Sequence, residues 1–192
     1  KDLYTKHLEV EENKKIECDI PDDMFNEAVK FSDTAIISLC RNSGEYNDRA
    51  AERGDYYLTE SEEALVNRVT SSFKKVVIVL NVGGMVDTNW FYDNDNIDSV
   101  LMAWQGGMEG ALATVDILTG DINPSGKLTD TFAKSFDDYP SSAGFNESVD
   151  YVDYIEDIYV GYRYFETIPE AFKKVNYPFG FGLSYTTFAY TD

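Results

Sequence analysis

The run Val76-Val77-Ile78-Val79-Leu80 is apolar at every position. A strand with one wet face alternates apolar and polar residues. An unbroken apolar run of this length reads instead as a strand covered on both faces, and such strands belong to parallel sheets with helices above and below. Parallel neighbours are reached by right-handed crossovers, each long enough to hold a helix.

The chain on either side fits that requirement. Pro21-Asp22-Asp23 opens a helix, with acids in its first turn where the helix dipole favours them. Met24, Phe25, Ala28 and Val29 give it one apolar face to about residue 32. A second buried strand is expected from Thr34 to Cys40. Thr59 and Glu62 have capping-box spacing, and Leu65, Val66, Val69 and Phe73 supply a helical stripe after them. A third strand is expected over Ser99–Trp104, running into Gln105-Gly106-Gly107. The next helix carries Met108, Ala111, Leu112, Val115 and Leu118 on one side and stops at Gly120.

The expected fold is therefore a three-layer α/β/α domain with a mainly parallel sheet. Its three post-strand loops share one edge: the segment after Leu39, Gly83-Gly84, and Trp104 to Gly107. In open α/β sheets ligands bind at the carboxyl edge of the strands. Residues 1–20 are polar and poorly patterned, and Lys15–Ile20 could form an edge strand. Past Gly120 the chain turns through Asp121 to Gly126, loops from Pro140 to Asp150, and becomes tyrosine-dense from Tyr151 to Phe165. Tyr177 to Tyr185 reads as a Gly/aromatic turn entering a short final strand.

Charge and composition exclude several functions. Acids outnumber bases 35 to 16, for a formal charge of −19. Such a surface repels nucleic-acid phosphates and anionic membranes. No apolar run approaches a membrane span, and no signal-peptide pattern opens the chain. Cys18 and Cys40 are too few for a disulfide framework, and Cys40 closes a strand expected to be buried. Reduced thiols in a cytoplasmic protein are the expectation. His7 is the only histidine, so neither a zinc cluster nor a Ser–His–Asp triad is expected. Asp93 to Asp98 lacks the glycine and terminal glutamate of an EF-hand loop, and reads as solvated. No metal and no cofactor are expected. Gly83-Gly84 could cradle a phosphate, but neither a Walker lysine nor a G-x-G-x-x-G accompanies it. A non-catalytic or nucleotide-binding α/β module is the competing reading.

The segment Arg41 to Arg49 holds the richest chemistry. Gly44 lets the backbone turn sharply, and Glu45 supplies a carboxylate at the sheet edge. Arg41 and Arg49 either pair with Asp48, Glu52 and Asp55, or orient the loop and contact substrate hydroxyls. Trp104 and the tyrosines either pack in the core or stack on sugar rings.

Several stretches together resemble the second domain of family 3 glycoside hydrolases, the β-glucosidase and β-xylosidase family. They are Arg41-Asn42-Ser43-Gly44-Glu45 with Asp48-Arg49, Gly54 to Leu58, Val77 to Gly84, Trp104-Gln105 with Glu109-Gly110, Gly120 to Leu128, Ile158 to Tyr164, and Tyr177 to Thr186. They occur in the family's order and cover about Phe31 to Phe188. The resemblance implies that residues 21–188 form that α/β domain, truncated on its amino-terminal side, with its last segment leading towards a β-sandwich. It implies a retaining mechanism with two carboxyl groups. Glu45 matches the acid/base, with Arg41, Ser43 and Gly44 as its substrate-binding neighbours. The nucleophilic aspartate would sit on a (β/α)-barrel domain that this chain lacks. The implied substrate is a β-glucoside-like carbohydrate, and the chain alone is expected to be inactive.

Overall fold

A computed structural model describes residues 19–43, 48–144, 148–189 and 191. His7 and Cys18 lie outside the described residues, as does most of the edge strand expected over Lys15–Ile20.

Helix α1, Asp22–Phe31, follows Pro21 and carries Asp22 and Asp23 in its first turn. Helix α2, Glu60–Thr70, has the full capping box: Glu62 N donates to Thr59 Oγ1 at 3.1 Å, and Thr59 N donates to Glu62 Oε2 at 2.9 Å. Two orphan amides of the first turn are thereby satisfied. Arg68 joins the two helices. It covers the Phe25 ring and donates to Ile20 O at 3.0 Å and Asp22 Oδ1 at 2.7 Å.

Strands β1 (Thr34–Arg41), β2 (Lys75–Val82) and β3 (Ser99–Met102) form a parallel sheet in the order β1-β2-β3. The register pairs Ile37 with Ile78, and Ile78 with Val100; it pairs Leu39 with Leu80, and Leu80 with Met102. In-register neighbours point to the same face. That face packs on Phe25 of α1 and on Val66 and Val69 of α2, with Val86, Phe91 and Phe132 completing the core. Ile78 is fully buried at its centre, so truncation to Ala there costs about 2–5 kcal/mol.

Three expectations are corrected. β1 is not buried on both faces: its residues alternate, Ile36 is 57% exposed, and Cys40 is exposed. β1 pairs only with β2 among the described strands, and Ile36, Ser38 and Cys40 on its second face are exposed. β3 stops at Met102, two residues early, because Trp104 adopts a left-handed φ of 53° that a strand cannot continue through. Helix α3, Gly110–Thr119, starts after Met108 and buries none of its residues, although Gly120 is the expected left-handed cap at φ 83°.

The final strand expected at the end of the chain is also absent among the described residues. Tyr185 N and Ser184 Oγ both donate to Asn123 Oδ1 at 2.9 Å, and the Tyr185 hydroxyl donates to Ile117 O at 2.7 Å. A side chain thus takes the amide that a ladder would use. The ordered pairing of this half lies earlier. Strand β4 (Phe132–Ala133) runs antiparallel to β5 (Val175–Tyr177), beside helix α4 (Tyr162–Thr167). Ala133, Phe165, Ala171 and Val175 form a second small core there. The tyrosine-dense segment before α4 stays exposed, including Tyr151, Tyr154, Ile155 and Ile158. No helix among the described residues is long and apolar enough to cross a membrane.

Candidate functional site

The three post-strand loops do meet. Ser43, two residues past β1, places its hydroxyl 3.2 Å from Gly83 O and 3.4 Å from Gln105 Oε1. Its proton can go to either acceptor, one on each of the other loops. A Cβ at Gly83 would fall 2.1 Å from Ser43 Oγ and 2.6 Å from Gln105 Cδ, so any side chain there would displace the Ser43 and Gln105 side chains. At Gly84 the nearest side-chain atoms belong to Arg49, with Nε 3.5 Å from where a Cβ would stand.

Gly44 and Glu45 lie outside the described residues. The residues flanking them, Ser43 and Asp48, are exposed at the carboxyl edge of the sheet.

Arg41 turns inward and is 6% exposed. Its fork grips Glu62, Nη1 to Oε1 at 2.7 Å and Nη2 to Oε2 at 2.5 Å. Nε donates to Asp55 O at 3.0 Å, and Nη1 also to Cys40 O at 2.8 Å. The guanidinium therefore ties the end of β1 to the 50s loop and to the start of α2. Arg49 pairs with Asp55, whose second oxygen accepts from Ala50 N at 2.7 Å. Of the partners weighed from the sequence, Asp55 serves both arginines, through its carbonyl for one and its carboxylate for the other.

Beside Asp48 and Arg49 opens a cleft of about 230 Å³, walled by Tyr56, Phe136, Tyr139 and Ser142. Burial pushes the Tyr139 hydroxyl up to about 12, against the opposing pull of the Ala133 amide that donates to it. Burial also pushes Tyr56 upward, reinforced by the neighbouring Tyr139. The Tyr139 hydroxyl donates to Thr131 O at 3.2 Å.

Other candidates have structural work. Trp104 is half-buried against the core, its ring 6.3 Å from that of Phe132. Asp98 accepts the Val76 amide at 2.7 Å, and Asn94 accepts the Asn96 amide at 3.1 Å. No helix begins at Gly83-Gly84 among the described residues; the next is α3, at Gly110. The amide array and dipole that would hold a phosphate are missing there. Sequence reading missed Gln105 as the third member of the cluster and Glu62 as the partner of Arg41. The placing of Gly83-Gly84 and the Gln105 loop at one sheet edge was the signal for the first. Nothing local signalled the second, because the capping box already explained Glu62.

Fold and site define an α/β domain in which Ser43, Gly83 and Gln105 bring three sheet-edge loops together. The chain belongs to the family described as glycosyl hydrolase family 3 C-terminal domain, whose profile matches residues 9–185. It is 53% identical over 195 residues to beta-glucosidase A of Butyrivibrio fibrisolvens, covering 90% of this chain and 24% of that protein. It is 45% identical to a beta-glucosidase of Ruminococcus albus, covering 90% of this chain and 18% of that one. Among solved structures, a beta-glucosidase from Paenibacillus barengoltzii superimposes with a TM-score of 0.84 at 45% identity, over 90% of this chain and 19% of that one. Beta-glucosidase 3B from Thermotoga neapolitana, solved in complex with glucose, gives 0.80 at 39% identity, over 100% of this chain and 28% of that one. The chain thus spans about a fifth to a quarter of the relatives it matches.

Proposed function

We propose that this domain supplies the general acid/base of a retaining β-glycosidase acting on terminal β-linked, β-glucoside-like sugars, and that Glu45 is that group. One observation carries the reading: Ser43, two residues before Glu45, lies at the carboxyl edge of the sheet, where three loops meet. The β-glucosidase relatives support the substrate class.

In the first step Glu45 gives its proton to the glycosidic oxygen as a carboxylate on a neighbouring barrel domain attacks the anomeric carbon. The C–O bond breaks and a glycosyl–enzyme ester forms. In the second step Glu45, now ionised, takes a proton from water. That water displaces the ester carboxylate and releases the sugar. Arg41 does not touch substrate in this scheme. It anchors the root of the loop through Glu62, and Ser43 and Gly44 lead from that root to the acid. The barrel domain would cover apolar surface that this domain leaves exposed.

Glu45→Gln in the longest chain carrying this domain is the test. Hydrolysis of glycosides with poor leaving groups should collapse, because they need protonation. Aryl glycosides with acidic phenols should lose far less in the first step, and azide should restore their turnover, since an anionic nucleophile needs no general base. Equal losses on both substrates, with no effect of azide, would remove Glu45 from the mechanism.

A further inference from the structure

Gln105 has a hydrogen-bonding end to spare. Its Oε1 lies 3.4 Å from the Ser43 hydroxyl, and its Nε2 has no partner among the described residues. A carboxamide carries an acceptor at one end and two N–H donors at the other. We propose that Gln105 is a specificity-determining residue whose carboxamide, oriented by Ser43, hydrogen-bonds a hydroxyl of the bound sugar. This rests on the carboxyl edge of the sheet binding a neutral sugar, and not on which group is the acid/base.

Three observations carry it. The first is position. Gln105 is exposed just past β3, and Ser43 is exposed just past β1. Both therefore lie at the edge where open α/β sheets bind ligands. A Cβ at Gly83 would displace both side chains, so bare backbone there lets the two meet. The second is chemistry. Ser43, Gly83 and Gln105 are uncharged, in a chain of formal charge −19. Such a chain repels anions and leaves neutral ligands free to approach. A sugar hydroxyl both donates and accepts, and the Ser43–Gln105 pair can meet either need. When Ser43 donates to Oε1, the N–H donors of Gln105 are left for the sugar. When Ser43 donates instead to Gly83 O, at 3.2 Å, a turned amide donates to Ser43 and leaves its carbonyl for the sugar. The third is strain. Trp104, directly before Gln105, holds a left-handed φ of 53°, and its half-buried ring packs on the core beside Phe132. Non-glycine residues in that region persist where their surroundings over-determine them, and they cluster at ligand sites.

The experiment measures kcat/KM in the longest chain carrying this domain, for wild type, Gln105→Ala and Ser43→Ala. The substrates are a nitrophenyl β-glucoside, its monodeoxy derivatives and cellobiose. Gln105→Ala should lower kcat/KM about tenfold, the worth of one hydrogen bond. On one deoxy substrate the loss should shrink to within about twofold, because the hydroxyl that Gln105 serves is already gone. Ser43→Ala should give a smaller loss that disappears on the same substrate. A loss confined to cellobiose puts the contact on the leaving ring and upholds the role. Both residues are exposed, so thermal melting should not move with either substitution. A role in folding alone would lower every substrate alike; that result, or no loss on any substrate, overturns the proposal. If Glu45→Gln shows no leaving-group dependence while Gln105→Ala shows its substrate dependence, the acid/base assignment falls and the role of Gln105 stands. If the wild type hydrolyses no β-glucoside, both fall.

Discussion

Arg41 and Glu62 form a two-pronged ion pair between the end of β1 and the first turn of α2, with 6% and 13% of their side chains exposed. Glu62 also closes the capping box of α2, so one carboxylate holds a helix start and a buried cation together.

Removing one partner would leave the other charge buried and alone. Glu62→Ala should destabilise the domain by about 3–5 kcal/mol, read from urea unfolding. A double-mutant cycle with Arg41→Ala should return a coupling of about 1–3 kcal/mol. Additive losses would show that the pair is incidental and that Glu62 acts only as a cap.

The 192-residue chain by itself should hydrolyse aryl β-glucosides at no more than background rate, because covalent catalysis needs the second carboxylate proposed for the barrel domain. Turnover by pure chain that survives Glu45→Ala would overturn both the division of labour and the role of Glu45.

Stability should fall on the alkaline side. Tyr139 is pushed up to about 12 by burial, and Tyr56 moves in the same direction. Unfolded tyrosine ionises near pH 10. Above that the unfolded chain binds fewer protons than the folded one, so the contribution is whole below pH 10 and disappears as pH rises towards 12. Urea midpoints at pH 8, 10 and 11 check this: they should hold to about pH 10 and then drop. Tyr56→Phe should soften the drop at a neutral-pH cost of about 1 kcal/mol or less. A flat profile through pH 11 would mean that these hydroxyls are wet.

Helix α3 exposes an apolar side, with Leu112 62% and Val115 52% exposed. The isolated chain should bind an apolar dye and associate as concentration rises. Leu112→Lys with Val115→Glu should suppress both while moving stability by no more than about 0.5 kcal/mol per site, since neither side chain is buried. A large loss of stability would mean that α3 is packed after all.

Local chemistry alone determined much of this protein. The apolar run at Val76–Leu80 predicted a parallel-sheet strand, Thr59 and Glu62 predicted a helix start near Thr59, and Gly120 predicted the end of α3. Each is a short-range preference: side-chain period, a cap reaching three residues, a backbone angle that favours glycine. Order of strands and helices then placed three loops at one edge, and motif order pointed to the family. Tertiary structure decided the rest. It turned Arg41 inward to Glu62, 21 residues away, because a buried guanidinium needs a carboxylate wherever the fold brings one. It stopped β3 at Trp104, whose ring is held by Phe132 and the core more firmly than its backbone prefers to stay extended. It let Asn123 take the amide of Tyr185 in place of a final strand. It also left Ile36, Leu112 and Val115 uncovered, because covering an apolar face depends on what lies opposite, and periodicity along one chain carries no record of that.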